Sequence, residues 1–394
     1  MARIVVAGYM VRHPVAGNLL AFFHYVLGLR RLGHDVLYLE ESGWPGACYD
    51  PIKRELGDDP STGLRIVREL LASYDVDVPV CYVNHELGSV EGIAWSDARA
   101  ALETADLLLN IGGACWLPEF RRCRRRALVD MDPLFTQVGR FGGPLVDEHH
   151  VHFSYGANIG RPGCSVPTVG VDWQPTVPPV VLDLWDLPPP PATGPFTTVA
   201  NWSAYGTVTH DGEQYGQKDR EIMRLICLPG RTTERLELAL SGADEETLER
   251  LRRAGWSVCD AIDVSQDVSS YSAYITGSRG ELSAAKHAYV KTRSGWFSDR
   301  SVCYLAAGRP VIVQDTGFGA WLPTGCGVLG FSSLDEAVDC LDRVGAEYPI
   351  HCRAAREIAA RMFSHEVVLP SLLDRGLHDA RHDPPGEMVA DASR

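Results

Sequence analysis

The sequence predicts an α/β protein of two domains, each built on a parallel sheet, and three observations lead to this fold class. Short β-branched runs alternate with helically spaced apolar segments along most of the chain, as in β-α-β units. A proline-rich stretch at 179–195 interrupts this alternation near the middle. The length of 394 residues also exceeds what one hydrophobic core usually spans, so a cleft between two domains is expected.

Each domain has its own predicted set of strands and helices. The first domain, 1–178, is predicted to contain strands 3–7, 35–39, 79–83, 106–111 and 126–130 and helices 18–32, 61–73 and 95–104. The second, 196–350, is predicted to contain strands 196–200, 235–239, 258–261, 288–290 and 311–314 and helices 219–226, 245–254, 268–275, 299–307 and 334–344. We expect an extended linker at 179–195, helices at 351–380 that pack back toward the first domain, with one long helix at 352–369, and a polar tail at 381–394.

The composition narrows the classes of partner. The net charge of −14 predicts repulsion from nucleic-acid polymers and from anionic membranes. We recognise neither a secretory signal nor an apolar run of membrane-spanning length, which favours a cytoplasmic protein. The 11 cysteines lie singly, without a Cys-x-x-Cys pair, which argues against disulfides and structural zinc. Small molecules are therefore the expected partners, and a homodimer is left open.

The most informative segment is 294–319, where a helix is predicted to follow a polar turn. Ser298 stands at the N-cap position, and Gly308 and Pro310 end the helix before the strand 311–314. A helix that begins at the carboxyl edge of a parallel sheet presents unpaired N–H groups and a partial positive charge, which suits a phosphate. An ordinary capped helix would have the same local pattern, so both interpretations stay open on these residues alone.

The stretch 291–317, KTRSGWFSDRS followed four residues later by LAAGRPVIVQDTG, resembles the donor-binding element of GT-B glycosyltransferases. The resemblance implies two Rossmann-like domains with parallel sheets facing across a cleft, and a UDP- or dTDP-sugar donor without a metal. In that family the loop and helix hold the nucleotide diphosphate, and an acidic/amide pair after the next strand contacts the sugar. The residues at the matching positions are Gly295, Trp296, Phe297, Ser298, Asp299, Arg300, Ser301, Gln314, Asp315 and Thr316.

Two further turns are expected to face the same cleft. The loop after the strand 196–200 occupies the edge where open α/β sheets bind ligands, and Lys218 in its continuation can neutralise a diphosphate. A solvated loop is the alternative there. For Arg279 and Glu281 a surface ion pair is the alternative. The candidate donor-binding residues of these turns are Asn201, Ser203, Tyr205, Lys218, Ser278, Arg279, Gly280 and Glu281.

The loop after the first strand carries the candidate catalytic base, His13. A histidine can accept a proton at neutral pH, and inverting GT-B enzymes commonly have a base histidine in this loop. Asp130 and Asp132 are the candidates for the carboxylate that orients it. Residues 300–308 contain no glutamate, whereas retaining members usually carry a glutamate pair there, so inversion is favoured. The candidate acceptor-binding residues are Met10, Gly17, Asn18, His152, Tyr155 and Asn158.

The predicted function is thus transfer of a hexose from a sugar nucleotide to a hydroxyl of a small molecule, such as a secondary metabolite or a nucleoside-like compound. A sugar-nucleotide epimerase or hydrolase of the same fold is the first alternative. An NAD(P)-dependent oxidoreductase is the second, because Glu40 and Glu41 end the second strand where such enzymes hold ribose. Its G-x-G-x-x-G fingerprint is missing. A metal at the cluster of His149, His150 and His152 is disfavoured. Only His150 and His152 would lie on one face of a strand, and no third ligand has suitable spacing.

Overall fold

A computed structural model describes residues 1–139, 146–186 and 188–378. The polar tail predicted at 381–394, the last two residues of the predicted C-terminal helices and residue 187 of the predicted linker lie outside the described residues. No helix among the described residues combines the length and the apolar character that a membrane crossing requires.

The first sheet has eight strands in the order β10-β9-β8-β7-β1-β2-β5-β6. All neighbouring strands are parallel except β5 and β6, which pair antiparallel. The strands are β1 Arg3–Ala7, β2 Asp35–Glu41, β5 Val80–Asn84, β6 Ser89–Gly92, β7 Leu107–Ile111, β8 Arg126–Asp130, β9 Val151–Ser154 and β10 Trp173–Pro175, with a separate hairpin of β3 Cys48–Asp50 and β4 Glu55–Gly57. The helices are α1 Ala16–Arg31, α2 Ser61–Ser73, α3 Trp95–Thr104 and α4 Phe135–Val138, with a 3₁₀ turn at Pro118–Arg122.

The second sheet has six parallel strands in the order β15-β14-β11-β16-β17-β18. They are β11 Phe196–Asn201, β14 Leu236–Ser241, β15 Ser257–Asp260, β16 Gly280–Ser283, β17 Val311–Gln314 and β18 Val328–Phe331, and β12 Val208–His210 with β13 Glu213–Tyr215 forms a hairpin. The helices are α5 Lys218–Arg224, α6 Glu245–Arg253, α7 Ala261–Ser265, α8 Val268–Gly277, α9 His287–Thr292, α10 Asp299–Ala306, α11 Leu334–Ala346, α12 Tyr348–Ile358 and α13 His365–Leu377, with 3₁₀ turns at Leu182–Trp185, Leu228–Arg231 and Phe318–Ala320.

Two predicted elements are wrong. Residues 288–290 lie in the helix α9, and the strand of this region is β16, which runs between β11 and β17. The strand was not predicted because its second residue, Glu281, is charged. This carboxylate is nevertheless fully buried, since it pairs with Arg300 at 2.7 Å.

The long helix predicted at 352–369 is broken into α12, a π-helical turn at Ala359–Phe363, and α13. Val180 makes two backbone hydrogen bonds at this break, to the carbonyl of Phe363 at 2.7 Å and from the N–H of His365 at 2.9 Å. The chain therefore bends where it meets the segment that joins the two sheets.

The last helix packs against the first. A Cβ at Gly28 in α1 would lie 2.6 Å from Leu369 and 2.8 Å from His365, both at the start of α13. Only a residue without a side chain allows this close approach. The domain boundaries given above stay a prediction, and the two sheets lie on either side of the proposed linker.

Candidate active site

A small, partly open cavity lies where β16 and β17 end and α10 begins. This is the carboxyl edge of the second sheet, where α/β folds bind ligands. Seven of the predicted donor-binding residues line the cavity: Trp296, Phe297, Ser298, Arg300, Ser301, Gln314 and Thr316. The remaining lining residues are Ser283, Ala284, Ala285, Val313 and Phe318. The structure therefore brings the core of the predicted segment to one place.

The first turn of α10 has unpaired donors. Ser298 occupies the N-cap position, but its hydroxyl caps no helix N–H and instead donates to Asp299 Oδ1 at 3.3 Å. The same carboxylate oxygen accepts the backbone N–H of Arg300 at 2.9 Å. Among the described residues, the backbone N–H groups of Asp299 and Ser301 have no hydrogen-bond partner. These two groups are available to an anion in the cavity.

Arg300 forms the base of the cavity. Its guanidinium donates to Glu281 Oε1 at 2.7 Å, to the carbonyl of Val199 at 2.7 Å and to the hydroxyl of Ser283 at 2.6 Å. Glu281 neither faces the cavity nor forms a surface ion pair with Arg279, because it is buried beneath α10 and pairs with Arg300. Arg300 and Glu281 therefore fix the position of α10 against the sheet.

Lys218, the first residue of α5, is the cation best placed for a phosphate. Its side chain is half-buried, and its ammonium has no hydrogen-bond partner among the described residues. Burial, together with the neighbouring charges of Arg300 and Lys286, lowers the pKa of Lys218 to about 7. An anion that binds beside a buried cation without a hydrogen-bond partner stabilises it more strongly than it would stabilise a cation in water.

Lys286 joins the two sheets and was missed by the sequence analysis. Its ammonium donates to Asp132 Oδ2 at 2.6 Å and to the hydroxyl of Tyr205 at 2.7 Å, and it lies 4.8 Å from the centroid of the Phe135 ring. Asp132 also accepts the hydroxyl of Tyr289. The prediction that Asp132 orients His13 is wrong, since its carboxylate is used by Lys286 and Tyr289.

Asp130 does not orient His13 either. It is fully buried and accepts hydrogen bonds from Ser154 Oγ at 2.6 Å, Thr136 Oγ1 at 2.6 Å and Gln137 Nε2 at 3.0 Å. Burial raises the pKa of Asp130, and these three donors oppose that rise. Its role is to tie the loop after β8 to β9.

His13 lies on the loop between β1 and α1, with its ring 5.2 Å from that of Tyr49. Its side chain is exposed, yet the protein around it displaces water and lowers the pKa of His13. Asn18 donates to the carbonyls of Tyr9 at 2.9 Å and His13 at 2.8 Å. These two hydrogen bonds of Asn18 fix the conformation of the loop. With its pKa lowered, His13 is neutral at pH 7 and able to accept a proton.

The same loop is fixed from below by Glu40. This buried carboxylate accepts the backbone N–H groups of Val11 at 2.8 Å and Arg12 at 2.7 Å, while the hydroxyl of Tyr38 donates to it at 2.7 Å. Met10, which is fully buried, donates its N–H to the same Tyr38 hydroxyl at 2.7 Å. Glu40 is thus unavailable to a ribose, which removes the main support for the oxidoreductase alternative.

The other predicted acceptor residues serve packing. Tyr155 is buried and its hydroxyl meets that of Tyr25 at 2.9 Å. His152 bonds through Nε2 to the carbonyl of Val146 at 2.8 Å. A Cβ added at Gly17 would lie 3.8 Å from the hydroxyl of Tyr271 in α8. Met10, Asn18, His152 and Tyr155 thus all make contacts within the protein, and their assignment to the acceptor stays a prediction.

Asn158 is also structural, because it joins the two sheets. Its Nδ2 donates to the carbonyls of Gly317 at 2.9 Å and Arg293 at 3.2 Å. A Cβ at Gly295, where φ is +76°, would lie 2.6 Å from the Asn158 side chain, so a larger residue cannot enter there. The amide therefore fastens the first domain to the loops on both sides of the cavity.

We expect Asn158→Ala to lower the free energy of unfolding by about 1–3 kcal/mol, because the buried carbonyl of Gly317 and the partly buried carbonyl of Arg293 lose a donor. Urea unfolding followed by circular dichroism measures the change. Asn201→Ala, at an exposed position in the loop after β11, is the matched control and should leave the unfolding midpoint unchanged. Equal midpoints for wild type and Asn158→Ala would contradict the interpretation.

Several of the predicted donor residues have their polar groups engaged within the protein. Ser278 and Arg279 point away from the cavity, since Arg279 pairs with Glu234 and Ser278 bonds to Thr197 at 2.6 Å. Gly280 lies inside β16. The side chains after β17 also make hydrogen bonds within the protein. Gln314 bonds to Ala285 and Glu221, Asp315 to Gly317, and Thr316 to Trp296. Asn201 and Ser203 are exposed.

No group of three or more His, Cys, Asp or Glu side chains within the described part of the chain is arranged to hold a metal ion. His149 and His152 contact each other through their rings, 6.4 Å apart, and His152 also packs on Trp173.

Comparisons with known proteins agree with this architecture. An alpha-glucosyltransferase in complex with UDP superposes with a TM-score of 0.59 at 8% identity, covering 96% of this chain and all of the other. HepE of Anabaena, in complex with UDP and glucose, gives 0.57 at 12% identity, with coverage of 95% and 99%. AviGT4, a glycosyltransferase involved in avilamycin A biosynthesis, gives 0.54 at 14% identity, with coverage of 95% and 97%.

The chain has the GT-B fold. The matches span nearly the whole of both chains, so they include both sheets. This confirms the fold class predicted from the sequence. At these identities the likeness shows the fold alone. No protein-family model matches the sequence, and no curated protein matches it.

Proposed function

We propose that the protein is a glycosyltransferase that moves a hexose from a UDP- or dTDP-sugar to a hydroxyl of a small-molecule acceptor, with inversion. The observation that carries the proposal is the half-buried side chain of Lys218, which has no hydrogen-bond partner among the described residues and interacts electrostatically with Arg300 and Asp299 in the first turn of α10. A diphosphate supplies the negative charge that such a site lacks. Solved GT-B structures with UDP bound support a sugar nucleotide as this ligand.

In this mechanism, His13 removes the proton from the acceptor hydroxyl. The oxygen attacks the anomeric carbon of the donor as the bond to the diphosphate oxygen breaks. Lys218 and the unpaired N–H groups of Asp299 and Ser301 stabilise the negative charge that develops on the leaving diphosphate. The absence of glutamate from residues 300–308 supports direct displacement over a retaining mechanism.

The acceptor is proposed to be a small molecule. One structurally similar alpha-glucosyltransferase is solved with UDP and DNA, so a nucleic-acid acceptor is a direct competitor. The net charge of −14 opposes binding of a polyanion. A gel-shift titration with duplex DNA at 50 mM salt distinguishes a small-molecule acceptor from a nucleic-acid acceptor. A tight complex with DNA would contradict the small-molecule proposal.

Product analysis with radiolabelled UDP-glucose and dTDP-glucose tests the reaction itself. Incubation with and without an acceptor mixture distinguishes transfer from hydrolysis and from epimerisation. We expect labelled conjugate only when acceptor is present. Free labelled sugar at the same rate in both incubations would establish a hydrolase, and binding without any product would establish a non-enzymatic sugar-nucleotide-binding protein.

Donor binding should depend on pH through Lys218. Its pKa of about 7 in the folded protein means that the ammonium loses its proton in the free protein above pH 7, and the diphosphate must then draw a proton from solvent. We expect the affinity for UDP-glucose to fall about tenfold per pH unit well above pH 7. Calorimetric titrations in HEPES and Tris at pH 8 should reveal proton uptake, and at pH 6 uptake should vanish. Equal affinity at pH 6 and pH 9 would contradict the role of Lys218.

A further inference from the structure

A groove of about 510 Å³ lies between α2 and the start of α8. Small-molecule sites have volumes of about 300–1,000 Å³, so this groove is large enough to hold a ligand. The aliphatic side chains that line it are Leu19 in α1, Ile52 in the turn between β3 and β4, Ile66 and Leu70 in α2, and Val268 in α8. We call this site the aliphatic groove.

Most of the polar side chains in the aliphatic groove are already engaged within the protein. Arg65 pairs with Glu69 at 3.0 Å, one turn further along α2. Asp267 caps α8 by accepting a backbone N–H at 2.8 Å. The hydroxyl of Ser73 donates to the carbonyl of Leu70 at 2.8 Å. These contacts leave few polar groups for the hydroxyls of a sugar, and the surface offered to a ligand is mainly hydrocarbon.

A second groove continues the first along α8. The two share Leu70 and Val268, and the second reaches Thr276 and Leu184. The eight-residue step from Val268 to Thr276 corresponds to about 12 Å of helix. Tyr74 is the only aromatic side chain that the described residues place along either groove. Planar rings usually pack on aromatic side chains, so this elongated aliphatic lining favours a flexible hydrocarbon chain.

The turn between β3 and β4 links the groove to the second sheet. Arg54, in this turn, pairs with Asp260 at the end of β15, at 3.0 Å, and with Asp263 in α7, at 2.5 Å. Ile52 lies two residues earlier and is 72% exposed. A hydrocarbon ligand would remove apolar surface of this side chain from water, which stabilises the complex.

The aliphatic groove begins next to the proposed catalytic base. The His13 ring lies 5.2 Å from that of Tyr49 in β3, and the backbone N–H of Tyr49 donates to the carbonyl of Arg12 at 2.7 Å. Pro51, which lines the groove, follows Tyr49 by two residues, and two residues span at most about 7 Å. Leu19, another lining residue, lies in the first turn of α1, directly after the His13 loop. A hydroxyl held at His13 can thus carry a hydrocarbon chain into the groove.

We propose that the aliphatic groove binds the hydrocarbon chain of the acceptor, which is an aliphatic alcohol with its hydroxyl at His13. This inference rests on the proposed function and deepens it, because it names the class of the acceptor. In the reaction, His13 takes the hydroxyl proton, and the alcohol oxygen replaces the diphosphate oxygen at the anomeric carbon of the donor.

Calorimetric titration of the full-length protein saturated with UDP tests this inference, with 1,2-alkanediols of four to ten carbons as ligands. We expect the affinity to rise about two- to fourfold per added methylene until the groove is filled, as burial of hydrocarbon predicts. Transfer of label from UDP-glucose or dTDP-glucose to the same diols should follow the same order in KM.

Ser269→Trp places a bulky side chain in the groove, because Ser269 is exposed at the second position of α8 and lines both grooves. It should weaken binding of decane-1,2-diol at least tenfold and abolish the dependence on chain length. UDP binding by the same sample reports whether the donor site is intact. Ser96→Trp is the matched control and should bind as the wild type does. Ser96 is exposed at the second position of α3, which packs on the opposite face of the first sheet from α2.

Separate outcomes refer to separate claims. If neither UDP nor dTDP binds to the wild type, the donor assignment of the proposed function fails. If UDP binds but the affinity for the diols is the same from four to ten carbons, or Ser269→Trp binds decane-1,2-diol as the wild type does, the groove inference alone fails. Tighter binding of adenosine or methyl glucoside than of decane-1,2-diol would also overturn it and indicate a nucleoside or sugar acceptor.

Discussion

Lys218→Met should lower the affinity for UDP-glucose by about 10- to 100-fold, since a charge-assisted hydrogen bond contributes about 1.5–3 kcal/mol. The same change should raise the melting temperature. The pKa of Lys218 is about 7 in the folded protein against an ordinary 10.5, so its protonated form destabilises the fold. That cost is full below pH 7 and disappears above about pH 10.5.

Thermal unfolding and calorimetry at pH 7 measure both effects on one sample. Lys291→Met is the matched control, because Lys291 pairs with Glu213 at 2.6 Å on the surface. It should change neither donor affinity nor melting temperature by much. A Lys218→Met protein that is more stable and binds UDP-glucose as well as the wild type would remove the central support for the donor site.

His13→Ala should lower the turnover number by about 10²- to 10⁴-fold, the usual contribution of a general base. Donor affinity should stay unchanged, because His13 contacts the acceptor hydroxyl and not the diphosphate. Since burial lowers the pKa of His13, the acid limb of the wild-type pH profile should lie below pH 6.5 and disappear in the variant.

Single-turnover assays with UDP-glucose and an acceptor found in the product analysis, from pH 5 to pH 9, measure this effect. His34→Ala is the control: His34 precedes β2, at the opposite edge of the first sheet, and accepts the N–H of Ala2 at 3.2 Å. A folded His13→Ala protein with full turnover would mean that another group removes the proton.

Lys286 shows why part of the site was beyond prediction. It follows β16, which was missed because a buried glutamate interrupts its apolar pattern. Its partner Asp132 lies 154 residues earlier in the chain. No local pattern connects two such residues, and the pairing of Asp132 with His13 was predicted because a carboxylate usually orients a base histidine. Asn158 was misread for the same reason, since both carbonyls that it binds belong to the other sheet.

The sequence by itself determined the alternation of strands and helices, the two α/β halves and the segment at the start of α10. These depend on local periodicity, caps and turn residues, which are properties of neighbours in the chain. The GT-B fold was expected from the family resemblance of residues 291–317. The tertiary structure alone decided which charges meet: Glu281 with Arg300, Lys286 with Asp132, and Lys218 near Arg300 with no hydrogen-bond partner among the described residues. Burial and charge neighbours set these pairings, and both arise only when distant segments pack together.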